Sequence, residues 1–163
     1  MIRSATAADV PVVLELVRAL AAYEREPDAV RMTESDLAGA LFGAPPAAAA
    51  LVATADDPGP GEGAVVGFAI YHRTFSTWTG RTGTFLVDLF VTPEHRRGGH
   101  GRALLAALAA RARARGDRRL EWDVLDWNTP AQGFYRSIGA APQDDWTTWR
   151  LDADAMAALA DGR

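Results

Sequence analysis

Between Leu89 and Leu105 the chain reads LFVTPEHRRGGHGRALL, three glycines set among basic side chains, just after an apolar run and just before a strong helix former. Few backbones accommodate that order. Glycines at a strand-to-helix junction let the main chain approach a ligand closely, and a helix start offers unpaired N–H groups at its partly positive end. A phosphate-bearing ligand is the first expectation. The run before the glycines, Thr84–Val91, reads as a strand with Asp88 embedded in it. After them Leu104, Leu105, Leu108 and Ala112 recur at helical spacing, while Arg111, Arg113 and Arg115 suit the carboxyl end and Gly116 stops the helix.

The rest of the chain supplies the frame. MIRSAT reads as a short strand with Thr6 as a helix cap and Asp9 in a capping-box position, and Val10, Val13, Leu14, Val17, Leu20 and Ala21 follow at helical spacing. Pro11 sits late for a helix starting at Thr6, which allows the boundary to move by a turn. Thr33 with Asp36 caps a shorter helix toward Leu41. AALVATA and AVVGFAIYHR read as neighbouring antiparallel strands around the turn-rich DDPGPGEG, and TFSTWTGRTG as a loop leading into the third strand of the meander. LEWDVLDWN, a short helix around PAQGFYRSIG and a strand-like WTTWRL complete the core, and the alanine-rich tail is a short helix or a frayed end. The order of elements predicts an α+β, or mixed α/β, fold in one domain over residues 1–163, not a doubly wound nucleotide fold.

Composition narrows the setting. With 163 residues, 48% of them apolar, the chain has room for one domain with a substantial core. A net charge of −4 gives no global reason to bind nucleic acid or an anionic membrane, and the arginines at 111, 113, 115, 118 and 119 read as a solvated face. Cysteine is absent, and His95 and His100 have no second ligand cluster at suitable spacing, so no metal is expected. No run reaches the length of a membrane span and the amino end lacks a signal-peptide core, which makes the cytoplasm the expected compartment.

Three phosphate-binding patterns compete for the glycine loop. A Walker A loop needs a lysine after its last glycine, and this region has none. A dinucleotide fingerprint finds Gly99 and Gly101 for its first two places but Leu104 at its third, after a strand that belongs to an antiparallel meander. The third pattern, Arg/Gln-x-x-Gly-x-Gly/Ala between a strand and an amphipathic helix, is met by Arg96, Gly99 and Gly101. Successive N–H groups there would wrap a pyrophosphate, with Arg96, Arg97 and Arg102 adding positive potential.

On that loop, and on IRSATAADVPVVLELVRALAAYE, VVGFAIYHRTFSTWTGRTG, VLDWNTPAQGFYRSIGA and the closing WRL, the chain resembles the GNAT superfamily of acetyl-coenzyme A dependent acyltransferases, most of all its diamine N-acetyltransferase group. The resemblance implies a sheet that splays beside the fourth strand, with the pantetheine arm along Leu89, Phe90 and Val91. It implies pyrophosphate on Arg96, Arg97, Gly98, Gly99, His100, Gly101 and Arg102, contact of Asn128 with the cofactor, and Tyr135 near its sulfur, where the hydroxyl would protonate a leaving thiolate. Glu24 and Trp78 would face the acceptor amine, and Asp88 would bind it or act as base. Where the diamine group carries Glu-Asp on the strand, this chain has Val87-Asp88, and Ser76 stands as in the thialysine-type relatives.

The implied reaction is direct attack of a neutral primary amine of a small molecule on the acetyl carbonyl. Acetylation of a protein amino terminus or lysine, and an inactive acyl-coenzyme A sensor, are the other readings. Homodimers are common among such relatives, and the apolar carboxyl end suits one. Each candidate residue also has a structural reading: Tyr135 as a core aromatic, Asn128 as a helix cap, Asp88 as a buried carboxylate held by N–H groups, Glu24 as a solvated helix end and Trp78 as a packing residue.

Overall fold

Arg3 and Asp9 pin the start of the chain. The computed structural model describes residues 1–55 and 63–162, in two units, Met1–Asp123 and Val124–Arg163. In the first unit the short strand β1 (Ile2–Ser4) sends the Arg3 guanidinium as a fork onto the Asp9 carboxylate, at 2.7 and 2.8 Å. The same carboxylate accepts from the Thr6 N–H at 2.7 Å, the reciprocal half of a capping box. The Arg3 hydrogen bond outweighs burial and, with those from Thr6, lowers the Asp9 carboxyl to a pKa of about 2. Residues Ala7–Asp9 form one 3-10 turn, and the regular helix α1 (Val10–Tyr23) begins a turn later than its cap, where Pro11 fits the first turn. It buries Val10, Val13, Leu14, Leu16 and Leu20.

The helix α2 (Glu34–Phe42) is capped by Thr33 and Asp36 as expected and buries Leu37 and Leu41. Strands β2 (Ala49–Thr54), β3 (Val65–Ser76) and β4 (Arg81–Val91) form an antiparallel meander in a five-stranded sheet of order β1-β2-β3-β4-β5. The turn-rich segment between β2 and β3 lies, except for Gly63, outside the described residues. Residues paired across an antiparallel ladder share a face. Ala50, Val52, Phe68, Ile70 and Phe90 therefore face α1 and α2 and form one core with them. Leu51, Ala53, Ala69 and Leu86 fall on the opposite face, which α3 (His100–Ala114) covers with Leu104, Leu105, Leu108 and Ala112.

Three expectations are corrected. The loop TFSTWTGRTG is mostly strand: Thr74 pairs with Gly83, Phe75 with Thr82 and Ser76 with Arg81, leaving a four-residue turn with Gly80 at φ 62°. Gly83 reads as a turn residue in sequence, but here it is a packing residue, because a Cβ would meet Arg119 Cγ and Thr74 Oγ1 at 2.8 Å. The segment LEWDVLDWN pairs only at its beginning: β5 (Leu120–Glu121) lies parallel to Thr84 and Phe85 and goes no further. In the second unit, helices α4 (Thr129–Ser137) and α5 (Ala153–Ala160) form, but WTTWRL is not a strand. Trp149 is 91% exposed, so the segment does not bury the face that its strand-like composition suggested. No helix among the described residues is long and apolar enough to cross a membrane.

The β3–β4 ladder carries a bulge. Ile70 pairs with Asp88 and Tyr71 with Leu86, so Val87 has no partner. Before the bulge, even-numbered β4 residues face α3; after it, Asp88 and Phe90 face α1. Gly67 holds the two strands together just beyond, where a Cβ would lie 2.7 Å from Phe90 O and 3.0 Å from Val91 Cγ2. Gly67→Ala is expected to destabilise the fold by about 1–3 kcal/mol by overpacking, measured by urea denaturation.

Candidate active site

The short reach of β5 shapes the site. β4 has β3 along its whole length, but on its other side only Thr84 and Phe85 meet a strand. From Leu86 to Val91 that edge is open among the described residues. Thr92 N–H donates to Val66 O at 2.9 Å, and peptide groups in an antiparallel ladder point to the partner at every second residue. Asp88, Phe90 and Thr92 therefore turn theirs toward β3, while Leu89 and Val91 turn theirs to the open edge. Of the three residues expected along the pantetheine arm, Leu89 and Val91 present backbone there; Phe90 hydrogen-bonds inward and buries its ring in the core.

The glycine loop follows directly. A 3-10 turn, Pro93–His95, leads into it, with Thr92 Oγ1 2.9 Å from His95 Nδ1. Arg97 has φ 65° and Gly99 φ 83°, both left-handed. Left-handed residues spaced this closely make a concave backbone of the kind that gathers N–H groups around an anion. Arg97 has a Cβ and holds this conformation at a cost of roughly 1–2 kcal/mol, the kind of strain that collects at ligand clamps. Gly99 is the N-cap of α3 and has no side chain to satisfy the first turn, so His100, Gly101 and Arg102 bring uncapped N–H groups to the positive end of a fifteen-residue helix. The residues present fit a pyrophosphate.

Arg96 also makes contacts within the chain. Its Nε donates to Val91 O at 3.0 Å, and its guanidinium lies 4.7 Å from the Tyr23 ring centroid and 5.4 Å from that of Phe90. Arg96 thus ties the loop to the end of β4 and to the last turn of α1, while Arg97 and Arg102 stay exposed beside the loop. Sequence reasoning missed Tyr23 and Phe90 as its partners; the adjacent Tyr23-Glu24 pair was the available signal.

Two carboxylates converge on the α1 face. Asp88 is turned there by the bulge, and Glu24 follows the last residue of α1 as its C-cap. Burial pushes the Asp88 carboxyl above its ordinary range. Burial also raises Glu24, and the Asp88 charge raises it further, which places the two within electrostatic reach although 64 residues separate them in sequence. His72 shares this face, paired with Phe85, its ring 5.5 Å from the phenyl. Val87, at the position of the missing family carboxylate, is the bulge residue and is 47% exposed.

Trp78 stands in the turn at the hairpin tip, 85% exposed, with six ladder positions, about 20 Å, between it and Asp88. Asn128 and Tyr135 belong to the second unit. There Asn128 caps α4, its Oδ1 accepting from Ala131 N–H at 3.3 Å, and Pro130 fits the first turn. Tyr135 lies one residue before the arginine of the last turn, its ring 5.4 Å from that of Phe134. Among the described residues no group of three or more His, Asp or Glu is placed to hold a metal ion.

Comparison with known proteins agrees with this geometry. Residues 14–140 match the acetyltransferase (GNAT) family. The chain is 37% identical to a thialysine N-epsilon-acetyltransferase of Bos taurus, over 98% of this chain and 96% of that one. It is 29% identical to an L-ornithine N5-acetyltransferase of Arabidopsis thaliana, over 97% and 86%. An integron cassette protein from the mobile metagenome of V. cholerae superposes with a TM-score of 0.78 at 26% identity, covering 98% of this chain and 96% of its own. With an open strand edge, an anion-gathering loop at a helix start and a match that spans 14–140, the chain belongs to the acetyltransferase (GNAT) family and is an acetyl-coenzyme A dependent N-acetyltransferase.

Proposed function

We propose that the acceptor is the side-chain amine of a lysine-like amino acid, or else a diamine or polyamine. The observation that carries this is the pair of carboxylates, Glu24 and Asp88, on the α1 face beside the open β4 edge. An ammonium group is drawn to them, and relatives named for acetylation at an Nε or N5 nitrogen support the choice. The match over 14–140 crosses the boundary at Asp123, which supports treating both units as one catalytic domain. We place this enzyme in the cytoplasm as a homodimer, a reading supported by the exposed Phe75, Trp78, Trp146 and Trp149.

When bound, acetyl-coenzyme A supplies an activated thioester carbonyl. Backbone of Gly98 to Arg102 would hold its pyrophosphate, and the outward peptide groups of Leu89 and Val91 would hold its arm and donate to the carbonyl oxygen. An ammonium has no lone pair, so its proton must leave before attack. Asp88, its pKa raised by burial, accepts that proton directly or through water, while Glu24 keeps the amine in place. On the family resemblance, Asn128 contacts the coenzyme and Tyr135 Oη holds the proton destined for the departing sulfur.

Thiol release measured across lysine analogues, ornithine, diamines, polyamines and short peptides is expected to saturate on an amine of the first classes. Tyr135→Phe should lower kcat on the order of 10²-fold with little change in coenzyme KM; an unchanged kcat would remove it as the acid. Arg97→Gly is expected to leave melting temperature undiminished, because relief of left-handed strain offsets the added chain entropy, while coenzyme KM rises. Asp88→Asn separates catalysis from stability. A carboxyl whose pKa is raised on folding stabilises the fold least when ionised, so the parent loses stability as pH rises through the folded pKa. The variant should therefore melt higher than the parent at pH 7, with the gain gone below about pH 4, and should lose the base limb of the pH–rate profile.

A further inference from the structure

The sheet steps down where β2 begins. The first β2 pair is Ala49 with Tyr71, but β3 runs on to Ser76, so His72 and the residues after it have β4 on one side and no strand on the other among the described residues. A cleft of about 430 Å³ occupies the notch. Its lining has an apolar part, made of Pro46, the three alanines after it and Tyr71, and a basic part, made of Arg73 and Arg115, and His72 completes it.

The basic part is held in place from beneath. The Asp117 side chain is fully buried and accepts from Thr82 Oγ1 at 2.6 Å and Thr84 Oγ1 at 2.8 Å. Burial pushes this carboxyl up, but those hydrogen bonds and the Arg115 guanidinium outweigh it and keep it below the usual range, so it is ionised at neutral pH. Arg115 Nη2 donates to Asp117 Oδ2 at 3.1 Å and to Thr84 Oγ1 at 2.8 Å, and the guanidinium lies 5.7 Å from the Tyr71 centroid. Arg73 Nη2 is 3.8 Å from Asp117 Oδ1, too far for a hydrogen bond, and its side chain is 58% exposed. One carboxylate beneath two guanidinium groups leaves a net positive charge facing the cleft, and none of the lining residues is acidic. The α3 carbonyls nearest this point already accept from the N–H groups of Arg115, Gly116 and Asp117.

We infer that this cleft binds a small organic carboxylate, its charge on the exposed Arg73 fork and on Nη1 of Arg115, whose Nε and Nη2 already donate to Asp117 and Thr84, and its flat apolar body against Tyr71 and the alanine ledge. The Arg73 fork matches a carboxylate edge to edge, and the Arg115 guanidinium, already fixed by its neighbours, loses little freedom when its remaining nitrogen binds. The site is separate from the glycine loop, because the whole of α3, about 22 Å, lies between Gly99 and Arg115. It does not depend on the acceptor proposed above.

Benzoate titrated into the ¹⁵N-labelled full chain tests it, with benzyl alcohol and acetate as comparison probes. Benzoate should shift the amides of 47–49 and 71–73 saturably; benzyl alcohol, which lacks the charge, should not, and acetate, which lacks the body, should bind more weakly. Arg73→Ala, at an exposed strand position, should keep the parent spectrum elsewhere and weaken benzoate at least about tenfold. Ala47→Phe, which fills the cleft without altering its charges, should abolish binding. Non-saturating shifts, shifts centred on Arg96 to Arg102, or parent-like affinity in either variant would overturn the assignment.

Discussion

One unpaired residue governs the chemistry of this sheet. Because Val87 has no partner on β3, the facing of β4 reverses there, and Asp88 turns toward α1 while Leu86 remains under α3. Without that reversal Asp88 would lie in the apolar layer against α3 and Phe90 would leave the core it shares with Phe68 and Ile70. A bulge is a small local irregularity, yet here it sets which side of the sheet carries negative charge. That Val87, a residue with no acid–base chemistry, fills the bulge leaves the proposed proton transfer to its neighbour Asp88.

Arg96 binds the separate parts into a unit. The end of β4 contributes two contacts to this loop side chain, through Val91 O and the Phe90 ring, and the end of α1 one, through Tyr23. Glu24 follows Tyr23 directly, so the side chain that anchors the glycine loop packs against the residue before the carboxylate proposed to hold the acceptor. One side chain of the motif thus ties the anion-gathering backbone to the end of α1.

Much of this was legible in the residues. Local patterns wrote themselves directly: the Thr33–Asp36 cap, the α3 leucines at helical spacing and the glycine loop all appear where the sequence places them. Features that depend on distant partners did not. The hairpin strands run past Arg73 because Thr74, Phe75 and Ser76 find partners across the ladder, which a local reading of Gly80 and Gly83 as turn signals hides. WTTWRL has strand composition, but a strand exists only where another lies beside it. The approach of Glu24 to Asp88 needed the bulge, and a bulge leaves no mark in a single sequence that distinguishes Val87 from any other strand valine. The fork of Arg3 on Asp9 is similar: the cap was visible, its arginine was not.

The open β4 edge has a consequence for the life of the protein in a crowded solution. A strand edge with outward N–H and C=O groups that is paired along only two residues is a template for pairing with other chains, a hazard that proteins ordinarily blunt with charge, proline or a covering segment. Val91 O accepts from Arg96 Nε, which leaves the Val91 N–H and the Leu89 peptide groups. The coenzyme arm proposed to lie there would be the cover, and any molecule that binds only the folded chain stabilises it by mass action. Colloidal behaviour would then track the coenzyme pool, with the chain most prone to self-association when acetyl donors are scarce and best protected when it is busiest.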